Sequence, residues 1–141
     1  MIKYLQLPVY FDAARMQQEV EHLSANSWKL HYQLLHYEGE WSAIPLRSVD
    51  GATDNIMIAP QAGASYRDTI FLGECFYIQE VLQSFHCLLM AVRLLKLNAG
   101  AVIKEHRDHD LYFEKGEARL HIPVITHEEV AIYLDKERLR L

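Results

Sequence analysis

No apolar run in the chain reaches the roughly eighteen residues that a membrane-spanning helix needs, so no membrane partner is expected. The opening residues, Met1-Ile2-Lys3-Tyr4-Leu5-Gln6-Leu7-Pro8, lack the long apolar stretch and small-residue cleavage site of a secretory signal, which points to the cytoplasm. Cysteine is scarce. Cys75 and Cys87 have no CxxC spacing and sit among apolar neighbours, so two buried, reduced thiols are expected rather than a disulfide or a zinc pair. Positive charge is also short: the formal net charge is −5. No stripe of Lys and Arg is present to neutralise phosphates, which argues against nucleic acid as a partner. Repeats, low-complexity segments and interdomain linkers are absent.

What is present fits one domain with one core. The 141 residues are 50% apolar, enough to bury a sizeable interior. Residues 2–8 alternate loosely and predict a first strand that stops at Pro8. Asp12 reads as a helix N-cap, with Ala13, Met16, Val20 and Leu23 following at helical spacing, so an amphipathic helix is expected over about 12–24. From Trp28 the period changes: Trp28, Leu30, Tyr32 and Leu34 alternate with Lys29, His31 and Gln33, as in a strand with one wet face. Glu38-Gly39-Glu40 reads as a turn. Trp41 to Arg47 reads as an irregular strand that Pro45 places at an edge or a bulge. Residues 59–68 are loop-like, either a lid or plain irregular chain. A second helix is expected over 76–86. A β-rich part follows, with strands over 88–97, 101–103, 118–125 and 130–134. Short strands with frequent turn signals suggest a barrel or jelly roll. The expected fold is therefore mainly β with flanking helices: a helical or irregular part over about 1–87 and a β core over about 88–141.

The chemistry is concentrated in Lys104-Glu105-His106-Arg107-Asp108-His109-Asp110. His106 and Asp108 are two apart, and on an extended segment such residues face the same way. An imidazole and a carboxylate so placed can share a metal, and a histidine from a distant strand would complete the two-His-one-carboxylate triad of non-haem iron. An isolated pair of this kind also arises by chance in a solvated turn. Two features raise it: the pair follows the apolar strand Ala101-Val102-Ile103 after a glycine turn, and Arg119-Leu120-His121-Ile122-Pro123 lies just downstream. Arg119 and His121 share one face of that expected strand, with Leu120 and Ile122 on the other. An arginine fork suits a carboxylate; the plain alternative is an outward pair of Arg119 with Glu117 or Glu129.

The run from Leu95 to Asp108, followed by Ala118 to Thr126, resembles the aspartyl/asparaginyl β-hydroxylase family. That family has a Leu-x-x-Gly turn, a strand ending in HxD and a strand of the form Arg-Leu-His-Ile-Pro. Trp41-Ser42-Ala43-Ile44-Pro45-Leu46-Arg47 is similar to a segment of its bacterial members, among them free-amino-acid hydroxylases. The detailed likeness covers about residues 88–134. It implies a double-stranded β-helix (a cupin-like jelly roll) in one domain over 1–141. It also implies Fe(II), 2-oxoglutarate as cosubstrate, and hydroxylation of an amino acid or peptide side chain. His106 and Asp108 match the iron ligands, Arg119 the arginine that holds a substrate or cosubstrate carboxylate, and His121 a neighbouring pocket position.

The sequence departs from the family where a second histidine ligand and a 2-oxoglutarate-holding arginine should follow; neither has a counterpart before Leu141. His127 falls in a turn, and His109, at i+3, points off the His106 face. The expectation is an incomplete domain, weak or silent as a dioxygenase. Three versions stay open: a fragment, a homodimer that shares strands, or a non-catalytic cupin-like binding module. A metallo-β-lactamase-like hydrolase fits worse, because its first histidine pair is out of register here.

Overall fold

The computed structural model describes residues 4–108, 111 and 113–141. Helix α1 spans Ala13–His22, and Asp12 caps it by accepting a hydrogen bond from the Arg15 amide at 3.1 Å. Met16, Val20 and Leu23 turn inward at the spacing the sequence predicts. The short α2, Ile70–Gly73, leads into α3, Phe76–Gln83, which ends three residues before the expected limit. Cys75, at the α3 N-cap, makes no capping bond. The cap comes from α1 instead: the Glu19 carboxylate accepts from the Tyr77 amide at 2.6 Å and the Ile78 amide at 2.9 Å. An acid at a helix N-terminus satisfies orphan donors and opposes the helix dipole, so one side chain ties two helices together.

These helices cover one face of an antiparallel sheet. Its central strand is β3, Trp41–Val49. One edge of β3 carries β1, Lys29–Leu30, and then β4, Tyr66–Asp68; the other carries β5, Val92–Leu97. Pro45 is thus in a central strand, not at an edge as expected. The bulge half of that expectation holds: the β3–β5 register shifts between Pro45 and Arg47. A proline cannot donate to a ladder, so the pairing slips by a residue there. The carbonyls this leaves are taken by Thr69, whose hydroxyl donates to the Pro45 carbonyl at 2.7 Å and whose amide donates to that of Leu46 at 2.9 Å. The alternation fixes the core: Ile44 and Leu46 of β3, with Val92 and Leu94 of β5, meet Met16, Leu72, Cys75, Ile78 and Val81 of the helical layer.

Two smaller ladders complete the chain. β2, Tyr37–Glu38, pairs with β6, Val102–Ile103. Gly39, just after β2, has a φ of +83°, and a Cβ there would meet the Ala101 Cβ at 2.7 Å, so the turn requires glycine. β7, Ile132–Leu134, and β8, Glu137–Leu139, form a hairpin around Asp135 and Lys136, both at positive φ. The protein is a mixed α/β structure in which every described strand pairing is antiparallel, with no closed barrel among the described residues. Among those residues no helix is long and apolar enough to cross a membrane.

Several expectations are corrected. Residues 4–8 form no strand, and residues 1–3 lie outside the described set. The expected strand over 28–34 is reduced to β1 and gives way to a 3-10 turn at Leu34–His36. Its faces are also reversed: His31 is 3% exposed, while Leu30, Tyr32 and Leu34 are at the surface. The reason is aromatic: the His31 ring lies flat on Trp41, so the imidazole fills the inward position. Part of the loop expected at 59–68 is the strand β4. The stretch 118–125 is not a strand among the described residues; it runs over the core with Ile122 and Val124 packed against it. Cys75 is buried as expected, but Cys87 is exposed.

Candidate functional site

The face of the β3–β5 ladder away from the helices holds the polar cluster. Trp41 is at its floor. His31 stacks on Trp41 with ring centroids 3.6 Å apart and planes 6° from parallel, and Tyr37 meets Trp41 edge-on at 5.5 Å. The Tyr37 hydroxyl donates to the His31 carbonyl at 3.0 Å, and the His31 Nδ1 accepts from the Gln33 amide at 3.3 Å. Enclosure pushes the His31 pKa down to about 4, helped by the nearby Arg93, His106 and His36. His31 is therefore a neutral ring at ordinary pH.

The β2–β6 ladder delivers His106 to this face. The Lys104 amide donates to the His36 carbonyl at 2.7 Å, one residue before β2. The Lys104 carbonyl in turn faces His106 Nδ1 at 2.8 Å. A carbonyl only accepts, so Nδ1 carries a proton, and in the neutral ring the lone pair is then on Nε2. That is how a second partner commonly orients a metal-binding histidine. His36 lies over His106 with ring centroids 5.6 Å apart, and its own Nδ1 is buried with no hydrogen-bond partner.

His106 Nε2 stands 3.7 Å from Asp108 Oδ1, so the expected pair does converge. The other carboxylate oxygen, Oδ2, is held by Arg119 Nη1. The partner of Arg119 is thus Asp108, rather than Glu117 or Glu129. His121 comes to the same neighbourhood: its pKa is lowered by partial desolvation and then by Arg119, against a smaller opposite pull from Asp108. His121 itself stands at the surface. Arg119 and His121 do not share a strand face, because no strand forms there; Arg119 is half-buried and His121 is at the rim.

No protein-family model, curated protein or solved structure matches this chain.

Among the described residues no group of three or more His, Cys, Asp or Glu is arranged to hold a metal ion. His109 lies outside those residues. His127 is where the sequence put it, in an exposed turn 3.8 Å from Glu129 and not at the site.

The sequence reading missed three residues. His31 is expected on the wet face of a strand, and His36 has no role in the sequence reading. Arg93 falls inside the strand expected over 88–97, with no site role expected for it. It sits on β5 opposite Pro45, donates from Nη1 to the Ile56 carbonyl at 2.7 Å, and has a buried Nε with no partner. Burial first and Arg119 second lower its pKa to about 10, against smaller opposite pulls from Tyr32 and Asp108. A cation within an apolar strand was the available signal, since strands exclude lysine and arginine from buried faces unless something needs them.

Proposed function

We propose that the chain is a jelly-roll-type domain of the iron- and 2-oxoglutarate-dependent dioxygenase class, acting on an amino acid or an amino-acid side chain. The observation that carries this reading is the convergence of His106 Nε2 and Asp108 Oδ1 at 3.7 Å, with Nδ1 tied back to a backbone carbonyl. One imidazole nitrogen and one carboxylate oxygen suit a divalent first-row metal. The fit covers these two donors; among the described residues no third joins them. Bound Fe(II), with 2-oxoglutarate, would supply an oxidant strong enough to hydroxylate an unactivated carbon.

The chain's own groups prepare for that role. The Lys104 carbonyl fixes the tautomer and direction of His106. Arg119 grips Asp108 Oδ2, which leaves Oδ1 turned toward His106. His121, kept neutral beside Arg119, can accept or donate a hydrogen bond without adding charge. The buried floor of Trp41, His31 and Tyr37 keeps water from beneath the site.

A second reading has an observation of its own. Asp108 is already paired with Arg119, as in a metal-free binding module that needs no third ligand. Titration with Fe(II) under nitrogen, followed by succinate release with 2-oxoglutarate and a panel of free amino acids, separates the two. The dioxygenase reading expects saturable Fe(II) binding that His106→Ala and Asp108→Asn each weaken by about tenfold or more. Identical Fe(II) affinity in both variants and the parent would sink it and leave the binding module.

A further inference from the structure

Three charged groups gather on the open face of the sheet: the guanidinium groups of Arg93 and Arg119 and the carboxylate of Asp108. The last is taken by Arg119. Arg93 finds one carbonyl, that of Ile56, and keeps its Nε buried and unpartnered. Enclosing a cation without a counter-charge is costly, and a second cation beside it raises the cost. Among the described residues, two guanidinium groups against one carboxylate leave an excess positive charge in a partly dry place. An anion arriving there would relieve both the excess charge and the orphaned donor.

A groove lies beside Ile56, the residue whose carbonyl holds Arg93. It has a volume of about 280 Å³ and is lined by Lys29, Leu30, Tyr32, Asp54, Ile56 and Met57, among others. It adjoins Arg93 through Ile56, whose carbonyl holds the Arg93 Nη1, and through Tyr32, which acts electrostatically on the same guanidinium. Leu30, Tyr32 and Met57 expose 61%, 50% and 45% of their surfaces, so the groove offers apolar side chains that none of the described residues covers. A charged seat at one end of an apolar trough selects a small molecule with an anionic head and a hydrocarbon tail.

We propose that Arg93, with Arg119, seats a carboxylate whose apolar tail lies in the groove of Leu30, Tyr32, Ile56 and Met57. The ligand class is a small carboxylate with a hydrocarbon side chain. The inference rests on the dioxygenase reading only in taking that ligand to be the substrate; the seat itself requires no iron. The planar fork of Arg93 makes charge-assisted bonds to the carboxylate. The groove then sets which carbon of the tail lies toward His106 and Asp108.

Calorimetric titration of the full chain without metal tests it, using isocaproate as probe, its neutral amide as control and 2-oxoglutarate as competitor. Isocaproate binds and the amide binds at least about tenfold more weakly, the difference that one lost charge-assisted hydrogen bond produces. Arg93→Gln and Met57→Glu each weaken isocaproate by a similar factor, the second by placing a negative charge along the tail. If Arg93→Gln fails to fold, Met57→Glu, on the exposed rim, decides alone. Equal binding of acid and amide, or isocaproate affinity unchanged by Met57→Glu, overturns the proposal. So does 2-oxoglutarate displacing isocaproate at lower concentration with the same dependence on Arg93, because the seat would then belong to the cosubstrate. Carboxylate binding without any Fe(II) affinity leaves this seat standing and removes the dioxygenase reading. Fe(II) affinity lost in the His106 and Asp108 variants, with no isocaproate binding, does the reverse.

Discussion

On the helix side of the β3–β5 ladder, Ile44 and Leu46 meet Val92 and Leu94 beneath α1, α2 and α3. On the other side, Trp41 and Ala43 stand in register with Leu97 and Leu95, and beside them are His31, Arg93 and the His106–Asp108–Arg119 group. The same two strands serve both faces, and nearly all of β3 is buried on both. The helix face closes on an apolar cluster. The site face closes with flat rings and then stops: Leu95 and Leu97 remain 43% and 44% exposed, and the outer edge of β5 has no ladder partner among the described residues. One face is thus built for cohesion, while the other keeps polar groups in a half-dry setting, where charge retains its reach.

Substitutions can test how separate these faces are. The largest effect belongs to the helix face. Ile44 is fully buried, and Ile44→Ala should cost roughly 2–5 kcal/mol in urea unfolding, from lost transfer energy plus the cavity left behind. A smaller loss there would mean that the helical layer is loosely seated. The second effect is a pH dependence lodged in the site face. Folded His31 takes a proton only near pH 4, whereas the unfolded ring takes one from about 6.5. Below about 6.5 the unfolded state therefore binds more protons, and stability falls as pH drops through that window toward 4. His31→Phe, which keeps a flat ring on Trp41, should flatten that part of the pH–stability curve; an unchanged curve would place the titration elsewhere. The third effect links the helices to each other. Glu19→Ala leaves two α3 amides without their acceptor, and a loss of roughly 1–3 kcal/mol is expected from thermal unfolding. It should not alter Fe(II) or carboxylate binding, since Glu19 touches only the helix face.

The helix face was the more legible in the sequence. The α1 spacing and its Asp12 cap, the α3 run and the strand character of 41–47 all follow from local rules, and the structure has them. The position of Pro45 did not follow, because its compensation comes from Thr69, twenty-four residues away. The inversion at His31 was hidden for a similar reason. Alternation reads Leu30 and Tyr32 as inward and an imidazole as wet, and only the Trp41 ring across the ladder reverses that order. Of the site, the pairing of His106 with Asp108 was readable from their two-residue spacing. The place of Arg93 was not, since it depends on which face of β5 turns toward Asp108 and Arg119, and each face of β5 carries two apolar residues and one basic one. The strand expected over 118–125 is absent: Ile122 and Val124 pack on the core, and the segment pairs with no strand among the described residues.

The contact between Gly39 and Ala101 has a consequence for how such a sequence can change. The two backbones close to a distance that leaves no room for a side chain on residue 39, and Ala101 opens the short segment that carries β6 and then His106. Any atom added at 39 would push that segment outward, and a larger residue at 101 would press back on the turn. The two positions cannot drift independently: the turn between two strands and the aim of a histidine five residues beyond Ala101 form one inherited unit, and a substitution tolerated at either would carry the mark of the other.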